Sequence, residues 1–462
     1  MSAAPRLSRA LPGMPPVAPI RSVHLGIGNF ARAHQAWYTS RAPNAGEWGI
    51  AGFTGRGAGV SDALGPQDGL YTLITRDRDD DSFEVMAALS AVHPAADHHS
   101  YLGYLGRPDL AMVTITVTEA AYLRGADGHL DASRSDVQAD LAALGDDRRG
   151  SVATVPARLL SGLLARRTAG AGPLTILSCD NLPGNGEVTR TVVRDLAELL
   201  DPSLTGWIDE NVDFATSMVD RITPATTDQD RAVVRDAQGY DDAWPVPTEP
   251  FHEWVISGAF PAGRPDWEAA GALVVADVEP FEQRKLWLLN GSHTQLAYAA
   301  SVLGHETIDQ AIADPVCQGW VEQFWDEASR HLDFPAEQIG DYRRALLDRY
   351  ANPRVRHQLA QIAADGSQKL LVRTLPVVRA ERADGRLPAG CATTLAGWVL
   401  HLRGLGAPVK DAGAGPAQAA ASSTDLADAV RSVLGVLQPG LDDDRDFVAL
   451  VVERANDIAS RA

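Results

Sequence analysis

The sequence predicts an α/β domain built on a doubly wound parallel sheet, followed by a mostly α-helical domain. Short apolar runs alternate with helical patterns from residue 22 onward, and the first run ends in a glycine-rich turn. Helical periodicity takes over after about residue 281.

Taken in order, residues 1–20 are proline-rich, carry Arg6 and Arg9, and lack the continuous apolar core of a signal peptide. They are expected to form a mobile arm. SVHLGIG (22–28), WGIAGF (48–53), LAMVTITVT (110–118) and PLTILSC (173–179) read as strands. Each is apolar on both alternations, as a parallel strand covered on both faces should be. Helices are expected over 310–332, 345–366 and 424–437, and the Ala/Gly/Pro-rich stretch 406–423 reads as a mobile surface loop. The boundary is placed near 280, giving a sheet domain over 21–280 and a helical domain over 281–462.

Composition narrows the function. The chain has 462 residues, is 45% hydrophobic and 22% charged, and carries a formal net charge of −19. Phosphate backbones demand a concentrated cationic surface, so nucleic acid is not an expected partner. No run of about 18 apolar residues occurs, so no membrane span is expected either. Cys179, Cys317 and Cys391 lie far apart, which suits neither a disulfide framework nor a close-spaced zinc site, and a reducing cytoplasm is the default setting.

HLGIGNFARAH places Gly26, Gly28 and Ala31 at the GxGxxA spacing of a Rossmann-type dinucleotide fingerprint. The first glycine permits the tight turn, and the second lets the backbone approach a pyrophosphate. Ala31 lets the helix close on the strand, with the amides around Asn29 and Phe30 facing the phosphates. The spacing also suits an ordinary strand-to-helix turn; its place after the first strand of a βαβ series favours the cofactor. That cofactor is expected to be NAD, with NADP not excluded. No acid follows WGIAGF to hold ribose hydroxyls, and Arg56 there is either a 2′-phosphate ligand or a solvated loop arginine.

LTILSCDNLPGNGEV (174–188) runs from a strand into a polar turn, where ligands of open α/β sheets bind. Asp180 and Asn181 there either stabilise the turn or, for Asn181, donate to a developing alkoxide. KLWLLNGSH (285–293) surrounds an apolar run with a lysine, an asparagine and a histidine. On an α-helix Glu282, Lys285, Asn290 and His293 spread over an arc of about 140°, and Gly291 is expected to loosen the helix. The plain reading is a structural helix whose lysine snorkels to solvent. The chemical reading is a lysine desolvated among leucines, its pKa lowered by burial, serving as base in a metal-free alcohol oxidation.

With these residues in view, the chain resembles the polyol-specific long-chain dehydrogenases, the mannitol 2-dehydrogenase and fructuronate reductase family. The similarity runs through HLGIGNFARAHQAWYT (24–39), QDGLYTL (67–73), TVTEAAY (116–122), SCDNLPGNG (178–186), MVDRITP (218–224), EPFHEWVI (249–256), GRPDW (263–267), KLWLLNGSH (285–293), RYANP (349–353) and DGSQK (365–369). It implies a Rossmann-type domain and a helical domain like that of 6-phosphogluconate dehydrogenase, with the active site between them. It further implies Lys285 as general base, Asn181 and Asn290 as the oxyanion hole, His293 on the reacting substrate, Glu282 in proton passage and Asp220 in the substrate region. Such enzymes are metal-free, usually monomeric, and often use NAD. Mannitol-type members carry a substrate-binding arginine eight residues before the DGSxK lysine, where this chain has Gln361. The text NPRVRHQLAQIAADGSQK instead resembles the hexuronate-reducing branch, and Arg356, His357, Lys369 and Arg373 offer cations or surface charges there. D-Mannitol/D-fructose and D-mannonate/D-fructuronate both remain expected pairs. An inactive nucleotide- or sugar-binding protein on the same scaffold is disfavoured by retention of the base, and a phosphogluconate-like enzyme by the KLWLLNGSH and SCDN texts.

Overall fold

The computed structural model describes residues 4–55 and 57–462. The chain forms two compact units that meet in sequence at Glu279/Pro280. In the first, an eight-stranded sheet runs β11-β10-β8-β7-β6-β1-β2-β5. Its strands are β1 (Ile20–Leu25), β2 (Gly49–Phe53), β5 (Leu89–His93), β6 (Met112–Ile115), β7 (Leu174–Ser178), β8 (Val212–Asp220), β10 (Glu253–Ser257) and β11 (Leu273–Val274). A smaller sheet, β4-β3-β9, is built from β3 (Tyr71–Arg76), β4 (Asp81–Met86) and β9 (Val246–Thr248).

Neighbours from β5 to β8 pair in parallel, whereas β10 pairs antiparallel to β8. Numbered by appearance, the six parallel strands lie in the order 3-2-1-4-5-6 of a Rossmann-type sheet, which reverses between β1 and β6. The double covering expected of apolar strands is visible in β6 and β7. Val113, Ile115 and Ile176 enter one core with Leu160, Leu163 and Val193. Met112 and Leu177 enter another with Tyr38, Trp254 and Trp267. The second unit is mostly helical.

Four expectations need correction. The arm before residue 20 is docked rather than mobile over the described residues. Leu7 is fully buried with Leu70, Ile74, Val234 and Tyr240. The Arg9 guanidinium donates to the carbonyls of Asp68, Pro15, Pro16, Ala87 and Leu89. The 406–423 stretch contains a helix, Gly415–Ala421, with Ala414, Ala417 and Ala421 buried. Asp411 pins it by accepting from the Ser367 amide at 2.6 Å and hydroxyl at 2.8 Å. The helix expected over 345–366 stops at Tyr350, because Pro353 disfavours α-geometry at Asn352 and Arg356 takes a left-handed φ of 46°. The run 310–332 likewise divides at Asp314, which caps the helix Pro315–Ser329.

The helical unit also holds a buried carboxylate. Glu381 is fully buried and accepts from Arg330 at 2.6 and 3.0 Å, His331 at 2.6 Å and Arg386 at 3.0 Å. Burial pushes its pKa up, but the donors Arg330, Arg386 and His331 outweigh that and hold it at about 2. A depressed carboxylate stabilises the fold above its unfolded pKa, about 4.3, and loses that contribution as pH falls toward 2. Allowing for solvent screening of the exposed guanidinium faces, Glu381→Gln is expected to cost about 2 kcal/mol at pH 7. Urea unfolding of both proteins should show the difference shrinking between pH 5 and pH 3.

Candidate active site

The Lys285–Gly291 segment is a π-helical turn, not a stretch of α-helix. It follows the helix Glu279–Arg284 and leads into Ser292–Gln295 and a second wide turn, Leu296–Ala300. The difference matters for the side chains. In an α-helix, residues five apart diverge by about 140°; hydrogen bonding from i to i+5 instead stacks them on one face. Lys285 and Asn290 are five apart, so the wide turn closes the arc that α-geometry would leave open. Lys285 is 9% exposed, within a run where Trp287, Leu288 and Leu289 are buried.

Widening a helix leaves carbonyls seeking donors, and here side chains supply them. Leu288 O accepts from Ser292 Oγ at 2.5 Å and Trp325 Nε1 at 2.8 Å. Leu289 O accepts from Ser292 Oγ and Tyr350 Oη, both at 3.2 Å. Asn290 O accepts from Thr294 Oγ1 at 2.9 Å and an Arg373 Nη at 3.4 Å. Gly291 closes the wide turn, and a Cβ there would stand 2.6 Å from the Phe324 ring, so glycine also permits close packing.

His293 is buried beside Tyr350, with ring centroids 4.7 Å apart, and beside His357, at 5.1 Å and nearly perpendicular. Burial, then His357, Arg349 and Arg373, push its pKa well below the ordinary value, so it is a neutral imidazole with one donor and one acceptor. His357 is lowered by burial and then Arg349. Nδ1 of His357 and Nε of Arg373 are buried without a hydrogen-bond partner among the described residues. Thus the second unit gathers His293, His357 and Arg373, together with Arg349 and Tyr350. The last two were not singled out from sequence, although RYANP contains them.

Other expected substrate residues stand differently. Lys369 donates to Ile362 O at 3.1 Å and Ala364 O at 2.6 Å, closing the end of the helix Leu359–Ile362. Two of the three ammonium donors thus go to backbone carbonyls. Gln361 and Arg356 are exposed. Glu282 is half-buried on the turn before Lys285.

In the first unit, Gly26 has φ +94°, and a Cβ there would lie 1.9 Å from Thr116 O. Gly28 is different. Its φ is −101°, and an added Cβ would meet only Gly26 O, at 3.9 Å. The protein itself does not require glycine at 28, which leaves the approach of a ligand as the reason; the turn therefore fits a dinucleotide. The following helix, Asn29–Ala33, breaks at His34 and resumes as Gln35–Arg41. Asn29 is tied down, donating to Pro224 O at 2.8 Å and Thr226 Oγ1 at 3.1 Å. Phe30 stacks on His34 at 5.0 Å, and Ala31 is buried. Arg56 lies outside the described residues.

At the end of β7, Asp180 accepts from the Val117 amide at 2.6 Å and from the hydroxyls of Tyr122 and Ser178. Burial pushes its carboxyl up to about 7 against the hydrogen bonds from Tyr122 and Val117. Asp180 therefore staples the 116–122 loop to the strand, the structural alternative considered for this turn. The exposed Asn181 follows it, beyond the carboxyl end of the strand. Asp220 is buried at the end of β8.

Residues 20–269 match the mannitol dehydrogenase Rossmann domain, and residues 277–459 the mannitol dehydrogenase C-terminal domain. The chain belongs to the mannitol dehydrogenase family. Its relatives in this family of oxidoreductases include the D-mannonate oxidoreductase of Escherichia coli (strain K12), 34% identical over 459 residues, covering 96% of this chain and 93% of that protein. Mannitol 2-dehydrogenase of Phaeosphaeria nodorum is 36% identical over 395 residues, covering 83% of this chain and 69% of the relative. Among solved structures, substrate-free D-sorbitol dehydrogenase superposes with TM-score 0.88 at 29% identity, covering 98% of this chain and 97% of that one. Pseudomonas fluorescens mannitol 2-dehydrogenase, a ternary complex with NAD and D-mannitol, gives TM-score 0.76 at 33% identity, covering 96% and 94%. The two matched regions of this mannitol dehydrogenase family chain follow its two units, and no helix among the described residues is long and apolar enough to cross a membrane.

Proposed function

We propose that this chain interconverts an aldonate and its keto acid, of the D-mannonate/D-fructuronate type, using NAD and a lysine base. The observation that carries the reading is the wide turn over Lys285–Gly291, whose i to i+5 spacing brings buried Lys285 and half-buried Asn290 toward one face. NAD, when bound, supplies the hydride acceptor. Lys285 takes the hydroxyl proton as the carbinol carbon loses hydride. The amides of Asn290 and Asn181 donate to the developing alkoxide without competing for that proton. His293, neutral, donates an N–H to the substrate oxygen, and Glu282 passes the proton onward to solvent. Gly26 and Gly28 seat the pyrophosphate with the backbone of Asn29, Phe30 and Ala31.

The carboxylate preference draws on His357 and Arg373 beside His293, on glutamine at 361, and on near full-length similarity to a D-mannonate oxidoreductase. Arg356, Gln361 and Asp220 contribute to the distal substrate contacts. The single chain is taken as the working unit, in the cytoplasm, with no nucleic acid or membrane involved.

Initial rates of NADH and NADPH oxidation with D-fructuronate, D-tagaturonate and D-fructose test the reading. D-Fructuronate with NADH is expected to exceed D-fructose in kcat/KM by roughly a hundredfold, because a site built around a charge is left unpaired by a neutral analogue. Faster turnover of D-fructose would replace the aldonate by a hexitol, and no turnover of any ketose or keto acid would remove the enzyme reading.

A further inference from the structure

Outside the Lys285–His293 group, His305, Asp314 and Cys317 bring three different kinds of metal ligand together. One ligand atom from each lies within 4.8 Å of the others, and among the described residues this is the one such group of three or more. His305 Nε2 is 3.1 Å from Asp314 Oδ2. Asp314 uses its other oxygen to accept the Val316 amide at 2.8 Å, which fixes the carboxylate at the start of the helix Pro315–Ser329. Cys317 is fully buried behind it, while His305 and Asp314 are about one-quarter exposed, at 24% and 25%. The cluster is therefore buried on the cysteine side and reaches water on the histidine and aspartate side.

We propose that His305, Asp314 and Cys317 bind one divalent transition-metal ion of the zinc class, with water as fourth ligand. A tetrahedral ion with bonds near 2.1 Å needs ligand atoms about 3.4 Å apart, so modest side-chain closure suffices. Imidazole plus thiolate selects zinc-like ions over magnesium or calcium, which prefer oxygen. The thiol is pushed up to about 12 by burial, then by Asp314, so it is protonated in the ion-free chain. Binding replaces the Cys317 S–H bond by a sulfur–metal bond, and the proton leaves to solvent; nothing is oxidised or reduced.

The position gives the ion something to act on. Ile308 N donates to His357 O at 3.0 Å, and Leu359 N donates to Glu306 O at 2.9 Å. Residues 306–308 thereby hold the segment that carries His357. His305, one residue before Glu306, would connect a bound ion to this pairing.

The test is a titration of the reduced full-length chain with Co²⁺. One equivalent should produce the visible bands of tetrahedral cobalt and a near-ultraviolet thiolate-to-metal charge-transfer band, both abolished by excess Zn²⁺. Cys317→Ser should lose the charge-transfer band. His305→Gln, at a position one-quarter exposed and outside the core, should weaken Co²⁺ binding at least about tenfold. Thermal unfolding without metal checks that both variants are folded. Absence of a charge-transfer band in the wild type, or wild-type binding by folded His305→Gln, overturns the proposal. Because the readout is metal binding and not turnover, it stands apart from the substrate assay above.

Discussion

Lys285→Met is expected to lower kcat by about a thousandfold, within the range that positioned general bases contribute. Methionine keeps most of the lysine stem, so the packing of the run with Trp287 and Leu289 should survive. NADH affinity, read by protein fluorescence, should stay within about twofold, since the base contributes to the transition state rather than to cofactor binding. Lys285→Arg sharpens the result. It preserves a cation, but a guanidinium does not give up its proton in the working pH range, so it should be as slow as methionine. Wild-type rates in either variant would remove Lys285 from the mechanism.

The two glycines of the first turn should behave oppositely. Gly26→Ala drives a Cβ onto the Thr116 carbonyl, 1.9 Å away, at a φ of +94° that alanine resists. A loss of about 3 kcal/mol or more in urea unfolding is expected, combining overpacking with backbone strain. Gly28→Ala meets no protein atom closer than 3.9 Å. Its stability should stay within about 0.5 kcal/mol of wild type, while the dissociation constant for NADH rises at least about tenfold, or 1.4 kcal/mol. Unchanged NADH affinity in Gly28→Ala would move the pyrophosphate away from this turn.

How much of this was legible depended on what holds each element. β1, β2, β6 and β7 could be read because both faces of each are apolar, a property of the strand itself. The arm could not, because one buried leucine and the carbonyl bonds of Arg9 hold it, and neither makes a pattern. The 415–421 helix was hidden by alanines, which bury small faces that composition alone does not distinguish from a flexible loop. The break after Tyr350 was signalled by Pro353 and overlooked in favour of periodicity. The antiparallel β10 and the small β4-β3-β9 sheet were not foreseen. In the candidate site, residue identities were readable, but their arrangement was not. The wide turn depends on donors from Trp325, Tyr350 and Arg373, far away in sequence.

That dependence makes the Lys285–Gly291 turn a local compromise. Relaxing into ordinary α-helix at unchanged length would satisfy the segment's carbonyls within the helix and free Trp325 and Tyr350 from that duty. Such a regular helix would keep every side chain named for catalysis, yet carry lysine and asparagine, still five apart, on diverging faces. An engineer selecting for thermal resistance alone would be drawn toward that regular helix. The chemistry proposed for this chain therefore stands on a backbone irregularity that stability, taken by itself, gives no reason to keep.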